Sequence, residues 1–281
     1  MSDQKTKREA QLVTQAVSRM LDQGSAGVLV TLMSLPEQSS GELRIGSRLL
    51  AIEAGERVGT LGMAALDEEV ARHVHHFLSS REDARSIRVE EFAPALIHFH
   101  GVQLLFERIE AEPRLVIAGA GHVGAALARL AALVGYRVTL IDDRAEFLSR
   151  ELFGSPGEQG INLVVAEDWA DDVREAIATG RGVSVAIVTR GHKQDEDCLR
   201  AAISANPSYI GMIGSKRRTN IVLDKLREEG SDAEQLKKVC APIGLDIGAI
   251  SPEEVALAIL AEIVAERRGG SGAALSNWRR Y

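Results

Sequence analysis

The run Leu115-Val-Ile-Ala-Gly119-Ala-Gly121-His-Val-Gly124 constrains this chain more than any other stretch. An apolar segment feeds a G-x-G-x-x-G turn, and Val123 to Val134 continues at helical spacing. Arg137 to Asp142 reads as a second strand that ends in an acid, 18 residues beyond Gly124. In such a turn Gly119 permits the tight bend, Gly121 lets a pyrophosphate reach the backbone, and Gly124 lets helix and strand pack closely. The first N–H groups of the new helix, from His122 and Val123 onward, lack intrahelical partners and favour an anion. The glycine pattern alone is common. With a strand before it, a helix after it and Asp142 in place, it predicts a Rossmann-type unit built for a phosphate-bearing ligand.

The rhythm that follows supports this. Strands are expected at 114–118, 137–142, 161–165, 183–189 and 209–213, and helices at 123–134, 171–179, 195–204 and 215–229. This alternation implies a doubly wound parallel sheet with right-handed crossovers. Gly154-Ser-Pro-Gly157 breaks it between the second and third strands. A last helix starts at Ser251, with Pro252 at its first position and Glu254 completing a capping box. Val255, Ile259, Ile263 and Val264 would form its apolar stripe.

Before Arg114 the pattern is different. Leu12, Val13, Val17, Met20 and Leu21 recur at helical spacing up to Gly24. Gly27 to Met33 reads as a strand, and Arg48–Glu53 and Arg57–Leu61 as a hairpin through Ala54-Gly-Glu56. Asp67–Leu78 reads as a helix, and Ile87–Phe92 and Ala95–Ile109 as further strands. The expected fold class is α/β: a smaller α+β domain over 1–112, a Rossmann-like domain over 113–270, and a tail over 271–281 that is loose apart from Trp278.

Composition narrows the function. The 281 residues are 45% apolar with a net charge of −7. That charge argues against a nucleic-acid binder acting through phosphate neutralisation. No run approaches the ~18 apolar residues of a membrane span, and Met1–Ala10 lacks the apolar centre of a signal peptide. Cys198 and Cys240 are the only cysteines, too few for a disulfide framework or a zinc cluster. The expectation is a cytoplasmic protein with no membrane or nucleic-acid partner.

Ligands of an open parallel sheet bind outside the carboxyl ends of its strands. Four polar loops, three of them glycine-containing, end there: Gly119-Ala120-Gly121-His122-Val123-Gly124, Asp142-Asp143-Arg144, Thr189-Arg190-Gly191-His192 with Asp195, and Gly214-Ser215-Lys216. Asp142 would accept from ribose hydroxyls, whereas Arg144 could pair with an extra phosphate. The plainer alternative for both is a capped turn. Ser215 and Lys216 open a helix that could hold a second anion, the alternative being a solvated basic face at Lys216–Arg218. His192 and Asp195, near a helix start, are candidates for proton transfer or ligand orientation, against an ordinary structural role. Cys240 is a candidate functional thiol, and Cys198 reads as a small buried hydrophobe. His73, His75 and His76 lie in a charged helix without a partner cysteine, and His98 and His100 would share one strand face. No metal site is expected.

As a set these loops resemble the xanthine dehydrogenase accessory proteins, the XdhC/CoxI family. The match runs through Gly119–Gly124, Asp142-Asp-Arg144, Thr189-Arg-Gly-His192 with Asp195, Tyr209-Ile-Gly-Met-Ile-Gly-Ser215, Pro242-Ile-Gly-Leu-Asp-Ile-Gly248 and Ser251-Pro-Glu-Glu-Val-Ala256. It covers nearly all of Arg114 to Gly270. The resemblance implies a maturation factor that binds molybdenum cofactor, a phosphate-bearing pterin, helps its sulfuration and delivers it to a molybdenum hydroxylase apo-enzyme. A cysteine desulfurase is a further candidate partner, and a homodimer is the default assembly. The N-terminal half departs from the family pattern. Glu42 and Leu43 stand where proline and arginine are expected, and Ala65 stands where the family carries a cysteine. That puts sulfuration in doubt.

Three readings follow. The first is a cofactor chaperone rather than an enzyme. The second is an NAD(P)-dependent oxidoreductase using His192 as acid or base. The third is a nucleotide-sensing regulatory module. Fold alone does not separate them.

Overall fold

The computed structural model describes residues 2–36, 43–53, 55–80, 82–149, 153, 160–178 and 182–276. Glu42, the loop 154–157 and Trp278 lie outside the described residues. The chain divides into two compact units, Met1–Ala111 and Glu112–Tyr281.

In the first unit, helix α1 (Ser2–Asp22) precedes strands β1 (Gly27–Ser34), β2 (Arg48–Ile52) and β3 (Arg57–Thr60). Helix α2 (Ala64–Ser79) and strands β4 (Ala84–Arg88) and β5 (Gln103–Ile109) follow. The sheet is antiparallel, in the order β3-β2-β1-β5-β4. Successive side chains of a strand face opposite ways, so each strand serves two cores. Leu49 and Ala51 of β2 join Val28 and Val30 under Val70, Val74 and Phe77 of α2. Leu50 and Ile52 of the same strand meet Val13, Ala16 and Met20 of α1 on the other face.

Two strands expected from the sequence are shorter than the apolar pattern suggested. Ile87–Phe92 is not one strand. The chain leaves β4 at Arg88 and coils into a helical turn, Val89–Phe92, because the Glu91 carboxylate accepts from the Arg88 N–H at 2.9 Å. Ala95–Ile109 likewise begins with a 3-10 turn, Ile97–Phe99, before β5. His98 and His100 therefore do not share a strand face, and His100 Nε2 lies 3.0 Å from the Pro94 carbonyl. Helix α2 begins earlier than expected, at Ala64. The Asp67 carboxylate turns back to take the Leu61 N–H at 2.8 Å and the Thr60 hydroxyl at 2.6 Å, tying the helix start to β3.

The second unit alternates β6 (Arg114–Ala118), α3 (His122–Leu133), β7 (Arg137–Asp142), β8 (Ile161–Val165), α4 (Trp169–Ile177), β9 (Val183–Ile187), α5 (His192–Ala205), β10 (Tyr209–Met212) and α6 (Lys216–Glu228). A short helix α7 (Ala233–Lys237) and the long α8 (Pro252–Arg268) complete it. All five strands are parallel, in the order β10-β9-β6-β7-β8. Leu115 and Ile117 of β6 pack with Leu127 of α3 and Ile259 and Ile263 of α8. Val116 and Ala118 face the other way, onto Val173 and Ile177 of α4 and Leu199 of α5.

Helix α8 starts as its sequence dictates. Ser251 accepts from the Glu254 N–H, and Glu254 accepts from Ser251 and Ile250. Those two amides hold the Glu254 carboxyl below its usual range. Val264 departs from the expected stripe and is exposed. Cys240 adds a single parallel bridge to Gly211 at the β10 edge of the sheet.

Candidate functional site

The strand order reverses between β6 and β9, so the loops leaving these neighbours diverge to opposite faces and open a crevice. The two loops touch. The Val188 N–H donates to the Ala118 carbonyl at 2.8 Å, and a Cβ built on Gly119 would lie 2.6 Å from the Val188 carbonyl oxygen. Gly119 has φ +112°, a conformation side chains disfavour. A Cβ on Gly124 would lie 1.8 Å from the Gly119 carbonyl oxygen. These two glycines are packing requirements. Gly121 differs, because a Cβ there would meet nothing within 4 Å. It sits at the N-cap of α3 in extended backbone, with the helix start behind it.

Asp142 closes β7 and turns its carboxylate into the glycine turn. Oδ2 accepts from the Ala120 N–H at 2.6 Å and from Arg144 Nη2 at 2.9 Å. Oδ1 accepts from the Arg144 backbone N–H at 3.0 Å and from Nε at 2.8 Å. Burial pushes this carboxyl up. The Arg144 hydrogen bond, the two amides and the arginine charge outweigh burial and hold it below the usual carboxylate range. The same pairing raises Arg144 above its ordinary value. The Arg144 guanidinium stacks over the Phe147 ring, 3.9 Å from its centroid.

Beside this pair lies a small cleft lined by Asp142, Asp143, Arg144, Trp169, Thr189, Arg190 and Gln194. Trp169 and Gln194 were not expected. Trp169 reaches the cleft from the first position of α4, just after β8, a strand end that carries no glycine-rich polar sequence. Its signal was a lone tryptophan placed just after a strand, beside the Asp168 N-cap of α4.

The remaining candidates separate. His192 is exposed in the first turn of α5, while Asp195 is fully buried one turn on and accepts the Thr189 hydroxyl. Asp195 thus holds the loop that carries Arg190. Ser215 and Lys216 are exposed at the start of α6, beyond β10 and outside the lining of the cleft. Cys240 packs at the sheet edge, half-buried beside Tyr209. Burial and the nearby Glu262 carboxylate push its thiol up. Glu262 also accepts the Tyr209 hydroxyl and the Gly244 N–H. Cys198 is fully buried, and burial with the nearby Asp195 and Asp197 raises its thiol strongly. Ala65, where the family resemblance places a cysteine, is exposed in the first turn of α2. Among the described residues no cluster of His, Cys, Asp or Glu could hold a metal ion, and no helix is long and apolar enough to cross a membrane.

A parallel sheet in this order, with a glycine turn at its switch point, defines the second unit as a Rossmann-type domain. Residues 115–263 match the family described as the XdhC Rossmann domain. The chain belongs to the XdhC family. It is 30% identical over 242 residues to the uncharacterized protein YqeB of Escherichia coli, covering 82% of this chain and 42% of that protein. It is also 30% identical over 174 residues to a probable xanthine dehydrogenase subunit of Bacillus subtilis, covering 62% of this chain and 49% of that one. A shorter match, 38% over 69 residues, is to the molybdenum cofactor insertion chaperone PaoD of Escherichia coli, covering 25% of this chain and 22% of PaoD. The chain thus spans less than half the length of each of these relatives. A crystal structure named as a xanthine dehydrogenase from Bacillus halodurans shares the fold, with a TM-score of 0.61 at 20% identity, covering 90% of this chain and 66% of that one.

Proposed function

We propose that this protein is an accessory factor for a molybdenum hydroxylase, and that its Rossmann domain carries molybdenum cofactor or a nucleotide for delivery to the apo-enzyme. The observation that carries the reading is Gly121. It is the one glycine of the turn with open space where a side chain would stand, and it is the N-cap of a helix, whose first N–H groups favour an anion. A phosphate on the pterin or nucleotide would occupy it. Beside the family match, the name of one relative supplies the xanthine dehydrogenase context and that of PaoD the molybdenum cofactor context. The cleft beside the turn offers the Trp169 ring and two guanidinium groups to the rest of the ligand.

The test is to purify the protein, denature it, and identify the released small molecule by absorbance and mass. A pterin supports cofactor carriage. A reduced nicotinamide instead supports an oxidoreductase, and an adenine nucleotide alone supports a sensor. A second arm adds the loaded protein to apo molybdenum hydroxylase. Activity should rise with wild type and not with Gly121→Val.

A further inference from the structure

A carboxylate ending the second strand of a Rossmann unit ordinarily reads a ribose diol. Here Asp142 has no capacity left. Its two oxygens take four N–H donors, which fills the roughly four acceptor sites of a carboxylate. The side chain is only 1% exposed. A ribose hydroxyl could enter only by displacing Arg144 or the amide of Ala120, itself 1% exposed, and a displaced buried N–H would be left without a partner.

Arg144 is differently placed. Its side chain is 20% exposed and lines the cleft. Asp142 engages Nε and one N–H of Nη2, which leaves Nη1 and the second N–H of Nη2 for another acceptor. Phe147 holds the guanidinium plane. Arg190 lines the same cleft with 62% exposure. Asp143 lies between the two, 3.7 Å from Arg144 Nε and 4.0 Å from Arg190 Nη2. Both distances exceed a hydrogen bond, so a phosphate with better geometry can replace Asp143 as the partner of both guanidiniums.

We propose that Asp142 is a positioning residue for the glycine turn, and that Arg144 with Arg190 reads an anionic substituent, so that the cleft selects a nucleotide phosphorylated on its ribose 2′-oxygen over one with a free diol. This rests on the nucleotide form of the proposed function, with the nucleotide's phosphate on the glycine turn, and it names what the ribose of that nucleotide carries.

The experiment titrates the full chain calorimetrically with adenosine 2′,5′-bisphosphate and with 5′-AMP. The bisphosphate should bind tighter by about tenfold or more, the scale of a charge-assisted contact. Arg144→Ala should bring the two affinities within about twofold of each other. Arg144→Lys should retain part of the preference, since it keeps charge without the planar fork. Asp142→Asn should weaken both probes in parallel and leave their ratio intact. Circular dichroism checks each fold, and Arg190→Ala, on an exposed side chain, serves if Arg144→Ala does not fold. Equal or reversed preference in the wild type assigns the diol to Asp143 and overturns the inference. So does a ratio that collapses in Asp142→Asn, or binding of neither probe. The parent reading is judged separately, by the molecule released from the denatured protein.

Discussion

The amide of Ala120, inside the glycine turn, donates to Asp142 Oδ2 at 2.6 Å from the neighbouring strand end. The acid that terminates β7 thus fixes the shape of the turn after β6. Arg144 completes the arrangement by pairing with both oxygens of the same carboxylate. Asp142 is buried, so removing Arg144 leaves its carboxylate without its charged partner.

This linkage carries a pH signature. The folded-state carboxyl of Asp142 lies below its ordinary value. Its contribution to stability is therefore fully present above the unfolded value, about 3.9, and is lost as pH falls through the lower, folded value. Asp142→Asn should cost roughly 1–3 kcal/mol near pH 7. The gap in thermal midpoint between wild type and variant should narrow as pH drops below about 3.9. A gap that stays constant down to acid unfolding would mean that the Asp142 charge contributes nothing.

The glycines of the turn should respond differently to a side chain. Gly124→Ala forces a Cβ against the Gly119 carbonyl oxygen and should destabilise the domain by roughly 1–3 kcal/mol or more. Gly121→Val meets open space and should leave the melting temperature within a few degrees of wild type. It should nevertheless abolish binding of the ligand identified from the purified protein. Differential scanning fluorimetry with and without that ligand separates the two effects.

Lys216 opens α6, where the helix dipole already favours an anion. Lys216→Glu should lower affinity for a phosphorylated ligand by a few-fold, and the loss should shrink as salt rises. Titrations at two ionic strengths decide it. Equal affinities would make Lys216 a solvated residue, in keeping with its position outside the cleft lining.

Sulfur chemistry should be weak. The reactive form of cysteine is the thiolate. Burial and Glu262 disfavour that form at Cys240, and burial does so strongly at Cys198. Incubation with a cysteine desulfurase and cysteine should add no sulfur to the intact mass. Glu262→Gln should speed alkylation of Cys240 at neutral pH by removing the nearby negative charge. A stable one-sulfur adduct lost in Cys240→Ser would reverse this expectation.

Much of the fold was legible in the sequence. Strands buried on both faces read as short apolar runs, helices as longer periodic ones, and their alternation from Arg114 onward leads to a parallel sheet because crossovers are right-handed. Caps such as Ser251-Pro-Glu-Glu254 are local and could be read directly. The first unit was harder. Apolar content extended Ile87 and Ala95 into longer strands, but a single side chain, Glu91 turning onto the Arg88 amide, made a helical turn instead.

What sequence alone determined is periodic or local: the strand–turn–helix at Gly119–Gly124, the alternation after it, the caps, and the motifs that mark the XdhC family. What only the tertiary structure decided is which groups meet. Three glycines look alike in a motif, yet two face backbone carbonyls and one faces open space. Asp142 reads as a free ribose acceptor until Arg144 and Ala120 fill its oxygens. Trp169 reaches the cleft from the first position of α4, after β8, where the residues carry no glycine-rich signal of a site. Periodicity depends on neighbours along the chain, whereas saturation of a carboxylate, or space beside a Cα, depends on atoms from distant segments that only packing brings together.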